Sequence, residues 1–296
     1  MQKVLITGID SFTGVHLSSY LKKLGYILYG TSLFKSDKNK YKCDITKKDD
    51  ILDVLQKVKP DFLIHLSGIS FAAHDNNEEF YRVNTIGTLN ILDCIVELNL
   101  SLKKVIIASS ATVYGNQGVS ILDESLPATP ANHYGASKYA MECLAKGYFL
   151  KIPIIITRPF NYTGIGQAEH FLIPKIVKHF QEKKEIVELG NIEVSREFND
   201  VNFVCEVYEK LLLCEAKGEV VNIASNKGIK LLDVITMMNE IAHYDIKVVV
   251  NSAFVRKDDI KKLTGSNTKL ISLIGETDSK PLQDTLQEMF EHKKLL

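Results

Sequence analysis

Tyr134 and Lys138 stand four residues apart in "ANHYGASKYAMECLAKGYF", residues 131–149, a stretch whose pattern reads as a helix. Four residues turn a helix through about 400°, so the phenol and the ammonium leave from the same face. A phenol with its ordinary pKa of about 10 is a poor proton carrier at neutral pH. A neighbouring ammonium favours the phenolate and makes it an acid–base group. The same spacing would also suit two polar tips on a solvent-facing helix. What separates the two readings is what else the chain brings to that face.

Upstream, "KKVIIASS" (103–110) reads as a strand, and Ser109, Ser110 and Thr112 follow at its end. The C-terminal edge of a parallel sheet is where open α/β folds bind ligands. Such a sheet is expected because short β-branched runs alternate with amphipathic helices along the chain. The other strands expected are "KVLIT" (3–7), "YILYG" (26–30), "DFLIHLS" (61–67) and "IPIIITR" (152–158). Helices are expected over "VHLSSYLKKL" (15–24), "KDDILDVLQKV" (48–58), residues 78–98 and the Tyr134 segment. The fold class read from this is α/β: a Rossmann-type, doubly wound parallel sheet with a smaller α/β substrate-binding lobe. The first domain covers 1–160 and takes back a strand near 219–225, and 161–296 mainly form the lobe.

The 296 residues are 45% apolar and 24% charged, with a formal net charge of zero, the composition of a globular protein with no basic field for nucleic acid. No apolar run reaches the roughly 18 residues of a membrane span, and no charged leader with a cleavage site opens the chain. Five scattered cysteines without CxxC spacing suit reduced thiols better than disulfides or zinc. A cytoplasmic protein without membrane, nucleic-acid or metal partners is expected. Only four of the 36 basic residues are arginine (Arg82, Arg158, Arg196, Arg256), which suggests that arginine is kept where a planar fork matters.

Between first strand and first helix lies "TGIDSFTG", with Gly8, Ser11 and Gly14. Glycines there let the backbone turn tightly and approach a pyrophosphate on the helix N-terminus, and Ser11 adds a hydroxyl donor. At the end of the second strand, "LYGTSLFKS" carries Ser32 and Lys35 where binders of NAD usually place an acid against the ribose hydroxyls. NADP(H) is therefore the expected cofactor, with NAD(H) the second choice.

Together, "TGIDSFTG", "SSATVYG" and "YGASK", the last beginning 24 residues after Ser110, resemble the extended short-chain dehydrogenase/reductases. The nucleotide-sugar epimerase/dehydratase branch is the nearest, and within it the reductases of nucleotide-linked 4-keto-6-deoxyhexoses. The resemblance implies Ser110, Tyr134 and Lys138 as the catalytic trio, with Lys138 also holding the nicotinamide ribose. It implies Phe12 and Thr13 beside Gly8, Ser11 and Gly14 on the cofactor, Asp44 and Ile45 at the adenine, and Leu66, Ser67 and Gly68 against the dinucleotide. Ser70 and Thr112, with Ser110, would face the sugar, and Asn161, Arg196 and Arg256 the substrate diphosphate. A homodimer through the helices at 78–98 and 134–149 is implied as well. Arg158 and Asn84 read as structural, His170 as a lid or packing residue, and Gly87 as a point of close backbone approach.

Three activities fit these residues: reduction of the 4-keto group, 4-epimerisation with tightly held NAD, and non-catalytic dinucleotide sensing. An intact proton donor argues against the sensor. Dehydration is not expected, because Ala111 and Thr112 stand where such enzymes place a carboxylate, and Asp123 and Glu124 read as turn residues.

Overall fold

The computed structural model describes residues 1–34, 36–70, 76–255 and 262–292. Strand β1 (Lys3–Thr7) feeds helix α1 (Phe12–Lys23), which begins ahead of the expected start at 15. Ser11 causes this: its Oγ accepts the Gly14 N–H at 3.1 Å and caps the helix. Next come β2 (Ile27–Ser32), β3 (Lys40–Lys42), α2 (Lys48–Val58) and β4 (Phe62–His65). The helix expected over 78–98 is three pieces: α3 (Asn77–Phe80), a π-helical turn (Tyr81–Ile86) and α4 (Gly87–Glu97). Strand β5 (Lys104–Ala108) ends in a 3-10 turn (Ala111–Tyr114), and α5 (His133–Ala145) precedes β6 (Ile154–Pro159).

The back half contributes β7 (Tyr162–Thr163), α6 (Leu172–Gln181), β8 (Ile186–Leu189), β9 (Ser195–Arg196), β10 (Asn199–Asp200) and α7 (Val201–Leu213). It ends with β11 (Glu219–Ile223), β12 (Ile229–Lys230), α8 (Leu231–Ala242), β13 (Lys247–Val250), β14 (Lys262–Leu263), α9 (Thr268–Ile274) and α10 (Leu282–Glu291).

Seven strands form one parallel sheet in the order β11-β6-β5-β4-β1-β2-β3. The chain runs outward from β1 to β3 and then restarts on the other side of β1 with β4, so a crevice opens between the ends of β1 and β4. Alternating strand residues feed two cores. Leu5, Leu63, Val105 and Ile154 meet α2, α4 and α5 on one face, while Val4, Ile64, Ile106 and Ile155 meet α1 and α7 on the other. Because both faces are covered, the central strands are mostly apolar, whereas the edge strand β3 is Lys-Tyr-Lys. Helix α9 also packs on this second face, through Leu270, beside β11. A third core binds α6, α8 and α10 to β8 and β13, and this is the smaller lobe.

A fourth, small cluster lies beneath the turn after β5, where Val113 and Tyr114 pack against Phe160, Leu122 and Leu263. Gly115 closes that turn at φ 63° and ψ −146°, a region open almost only to glycine. A Cβ there would stand 1.9 Å from the Thr129 carbonyl oxygen. Gly115→Ala is expected to lose about 1–3 kcal/mol from the dihedral alone, with further loss from displacing Thr129. Urea titration checks this, and an unchanged midpoint would show that the turn bears no such constraint.

Candidate active site

The crevice beside β1 is built from backbone. A Cβ on Gly14 would fall 2.5 Å from the Gly8 carbonyl oxygen, and one on Gly8 would fall 3.0 Å from the Ser67 nitrogen. The loop therefore presses against the segment after β4, and only glycine permits it. Ser11 accepts from Gly14 and keeps its own O–H to donate outward. Phe12 turns its ring toward Tyr162, stacked at 6.1 Å, and His16, so what it offers a phosphate is its N–H. The buried Thr13 shares a 2.7 Å hydrogen bond with the Tyr162 hydroxyl.

His65 fixes the floor of this crevice. Thr88 Oγ1 donates to the Asn84 carbonyl at 2.7 Å and so accepts from His65 Nε2 at 2.9 Å. His65 Nδ1 then accepts from Thr7 Oγ1 at 2.6 Å, and Thr7 Oγ1 accepts the Leu66 and Ser67 N–H groups. Burial, helped by the charge of Lys138, pushes the His65 pKa down to about 3, so the ring stays neutral. Gly68 lies beside Lys138, its Cβ position 3.3 Å from Nζ, and Ser70 is exposed just beyond.

At the ribose end, Ser32 is buried at the tip of β2, two residues further along that strand than expected, and its hydroxyl accepts the Phe34 N–H at 3.3 Å. Lys40 pairs with Asp10 across the loop at 3.1 Å. Asp44 Oδ1 accepts from the Thr46 N–H and hydroxyl, and Ile45 is buried against Gly87. The close approach at Gly87 is thus to the Ile45 side chain, 2.7 Å from a Cβ, and not to backbone. Lys35 and Arg256 lie outside the described residues.

The trio meets at the end of β5. Ser110, Tyr134 and Lys138 are 8%, 9% and 7% exposed, so the side chains reach solvent only at the mouth of the site. The exposed-pair reading of Tyr134 and Lys138 is therefore excluded. Asn132 caps α5 through Gly135 N–H and sets Tyr134 in its first turn. Ser110 Oγ accepts from the Thr112 hydroxyl at 2.9 Å and from its N–H at 3.2 Å, which leaves the Ser110 proton for the Tyr134 oxygen. Burial raises the Tyr134 pKa, and the Ser110 hydrogen bond only partly offsets this.

Lys138 does not lean on the phenol. It donates to the Ala108 carbonyl at 2.8 Å, and burial pushes its pKa down to about 8 although Glu142 raises it. The expectation that its ammonium would favour the phenolate is corrected: burial of the phenol outweighs it. Desolvation dominates, and Tyr134 is a protonated phenol poised to donate.

Asn84 is structural, as expected. It accepts the Ile69 N–H at 2.8 Å and donates to the Ile69 carbonyl and Ser137 hydroxyl, both at 3.1 Å. Arg158 is structural too, in a buried ion pair with Glu142. On the lobe side, Asn161 is exposed after β6 and accepts the Asn199 N–H on its carbonyl. Arg196 is half-buried on β9, its guanidinium donating to the Ser195 carbonyl at 2.9 Å. His170 lies on Phe171, ring centres 4.4 Å apart.

Three residues of consequence were not picked out from sequence: Glu142, Tyr162 and Glu197. Glu142 carried one signal, since it continues the four-residue spacing of Tyr134 and Lys138. Tyr162 and Glu197 carried none. The Glu197 carboxylate is fully buried and accepts from Asn199, Gly265 and Ser225, binding the end of β9 to the loops after β11 and β14. Its pKa is raised by burial.

Comparison with known proteins agrees with this geometry. A model of the NAD dependent epimerase/dehydratase family matches residues 4–224. A GDP-6-deoxy-D-talose 4-dehydrogenase from Aggregatibacter actinomycetemcomitans is 35% identical over 295 residues, 99% of this chain and 98% of the relative. A GDP-6-deoxy-D-mannose reductase from Pseudomonas aeruginosa is 29% identical over 285 residues, 93% and 91% of the two chains. The structure of RMD from Pseudomonas aeruginosa complexed with NADPH superimposes with a TM-score of 0.87 at 26% identity, covering 98% of each chain. The glycine-pressed crevice, the outward Ser11 hydroxyl and the α1 N-terminus fit a nicotinamide dinucleotide. With its Ser110–Tyr134–Lys138 site on a doubly wound sheet, the chain belongs to the NAD dependent epimerase/dehydratase family and is an enzyme of the oxidoreductase type.

Proposed function

We propose that the protein reduces the 4-keto group of a nucleotide-linked 4-keto-6-deoxyhexose with NADPH. The observation that carries this is the placement of Tyr134: a buried phenol at the end of β5, with Ser110 against its oxygen. Reduction of a ketone needs one hydride and one proton, and the bound dinucleotide would supply the hydride. Ser110 would orient the keto oxygen, Tyr134 would donate its proton to that oxygen, and Lys138 would hold the ribose beside it. Gly8, Ser11 and Gly14 would seat the pyrophosphate, and Arg196, Asn161 and Arg256 the substrate diphosphate.

Dehydration requires a further base for a carbon-bound proton. Ala111 and Thr112 offer none, Asp123 is spent on the Ser125 N–H and hydroxyl, and Glu124 accepts the Asn222 N–H. The relatives named above, a 4-dehydrogenase and a reductase, support the same chemistry. We also propose a second copy of the chain against the π-helical turn, α4 and α5, where Ile86, Val96 and Leu144 are exposed. The five free cysteines fit a cytoplasmic enzyme, and among the described residues no helix is long and apolar enough to cross a membrane.

Mixed with a nucleotide-linked 4-keto-6-deoxyhexose, the protein is expected to oxidise NADPH stoichiometrically and give a 6-deoxyhexose. Interconversion of C4 epimers without added reductant would point to an epimerase, and release of water from a 6-hydroxylated nucleotide sugar to a dehydratase. Tyr134→Phe should keep the fold and cofactor binding but lose about 10²–10⁴-fold in turnover. Near-normal turnover would remove the phenol from the reaction.

For the cofactor, Ser32 presents no charge to a 2′-phosphate, while aspartate there would repel it. Ser32→Asp is expected to raise the KM for NADPH and improve the use of NADH in steady-state kinetics. A wild-type protein that strongly prefers NADH would overturn the NADP(H) assignment.

A further inference from the structure

Tyr134, Lys138 and Glu142 repeat every four residues along one face of α5, and the strand end beside them receives all three. The Tyr134 oxygen meets Ser110, Lys138 Nζ donates to the Ala108 carbonyl at 2.8 Å, and Glu142 Oε1 accepts from Ser109 Oγ at 2.5 Å. Helix and strand are thereby joined by three consecutive rungs, at residues 108, 109 and 110. Glu142 is fully buried, and its rung at Ser109 lies between the other two. It also accepts from Arg158 Nε at 3.0 Å and from the second guanidinium nitrogen, Nη2, at 2.6 Å. The Arg158 guanidinium lies 4.7 Å from the centre of the Tyr114 ring, with Nη1 buried and unbonded.

We propose that Glu142 is a positioning residue of the reaction: through Ser109 it fixes the strand end that carries Ser110, and as the buried anion one turn beyond Lys138 it keeps that side chain charged. The alternative is a purely structural ion pair with Arg158. The surroundings of Lys138 favour the larger role. Among the described residues, the titratable groups turned toward it are His65 on β4, held neutral, and Tyr134 and Glu142 on its own helix. Arg158 on β6 is paired with Glu142, and Tyr162 feels Tyr134. Glu142 is therefore the anion that offsets the desolvation of the Lys138 ammonium. An ammonium buried without it would shed its proton nearer neutrality. Glu142 thus both accepts from Ser109 at the strand end and acts on the charge of Lys138.

This inference rests on the assignment of Tyr134 and Lys138 to ketone reduction, and the test separates the two. In protein labelled with ¹⁵Nζ-lysine, the Lys138 resonance is assigned by its loss in Lys138→Met and titrated without any sugar present. Lys138 is expected to titrate near 8 in the wild type. The midpoint should fall by about one unit in Glu142→Gln, the shift expected for losing one close opposite charge. The alkaline limb of the turnover profile should move down with it, because the charge of Lys138 disappears as pH rises through its pKa. Glu142→Gln leaves Arg158 buried without its anion and risks unfolding. The double variant Glu142→Gln/Arg158→Met removes both charges together, and its midpoint should also lie below the wild type's, by less. A Lys138 midpoint unmoved in the double variant and in every folded form of the single would overturn the proposal. A shifted midpoint in a protein that reduces no keto sugar would leave it standing and sink the functional assignment alone.

Discussion

The register of α5 on the end of β5 is the constraint on which the site depends. A helix and a strand repeat at different intervals, 3.6 and 2 residues, so their side chains coincide only over a short stretch. Here that stretch holds the phenol, the ammonium and the carboxylate, and each finds a partner on one of three successive strand residues. The Glu142–Arg158 pair, 0% and 5% exposed, fastens the far end. Breaking a pair buried this deeply by removing one member costs about 3–5 kcal/mol. The helix therefore cannot slide by a turn without giving up all three contacts.

The same burial sets the chemistry. Removing water raises the Tyr134 pKa, lowers that of Lys138 and holds His65 neutral, each by penalising the charged form. A protonated phenol beside a serine hydroxyl is suited to giving a proton rather than taking one. A continuous hydrogen-bonded chain ties this donor to the dinucleotide crevice. It runs from the Tyr134 carbonyl through Ser137, Asn84, Thr88, His65 and Thr7 to the Ser67 N–H. Asn84 reaches both Ile69 and Ser137 from the π-helical turn, a geometry that often marks functional sites.

The lobe is attached by polar ties as well as by the small apolar cluster in which Leu263 of β14 meets Val113 and Tyr114. Tyr162 joins the segment after β6 to Thr13 at the start of α1, and Glu197 gathers amides from the loops after β11 and β14. Asp200 adds a third tie, capping α7 while accepting from Thr285 on α10.

Much of this was legible in the sequence. Alternating apolar runs specify a covered parallel sheet because strands buried on both faces must be apolar throughout. "TGIDSFTG" specified the tight turn, since Gly8 and Gly14 stand where any Cβ would meet backbone. The four-residue spacing put Tyr134 and Lys138 on one face, because helix geometry is local. The boundaries of α1 and the break at Tyr81–Ile86 were less legible, for they depend on a cap and on hydrogen bonds made across the fold. Only the tertiary structure decided the electrostatics. Whether Lys138 leans on Tyr134 or on the Ala108 carbonyl, and whether Glu142 and Glu197 are exposed charges or buried struts, depends on residues distant along the chain. Desolvation is a property of the surrounding packed atoms, and no local spacing encodes it.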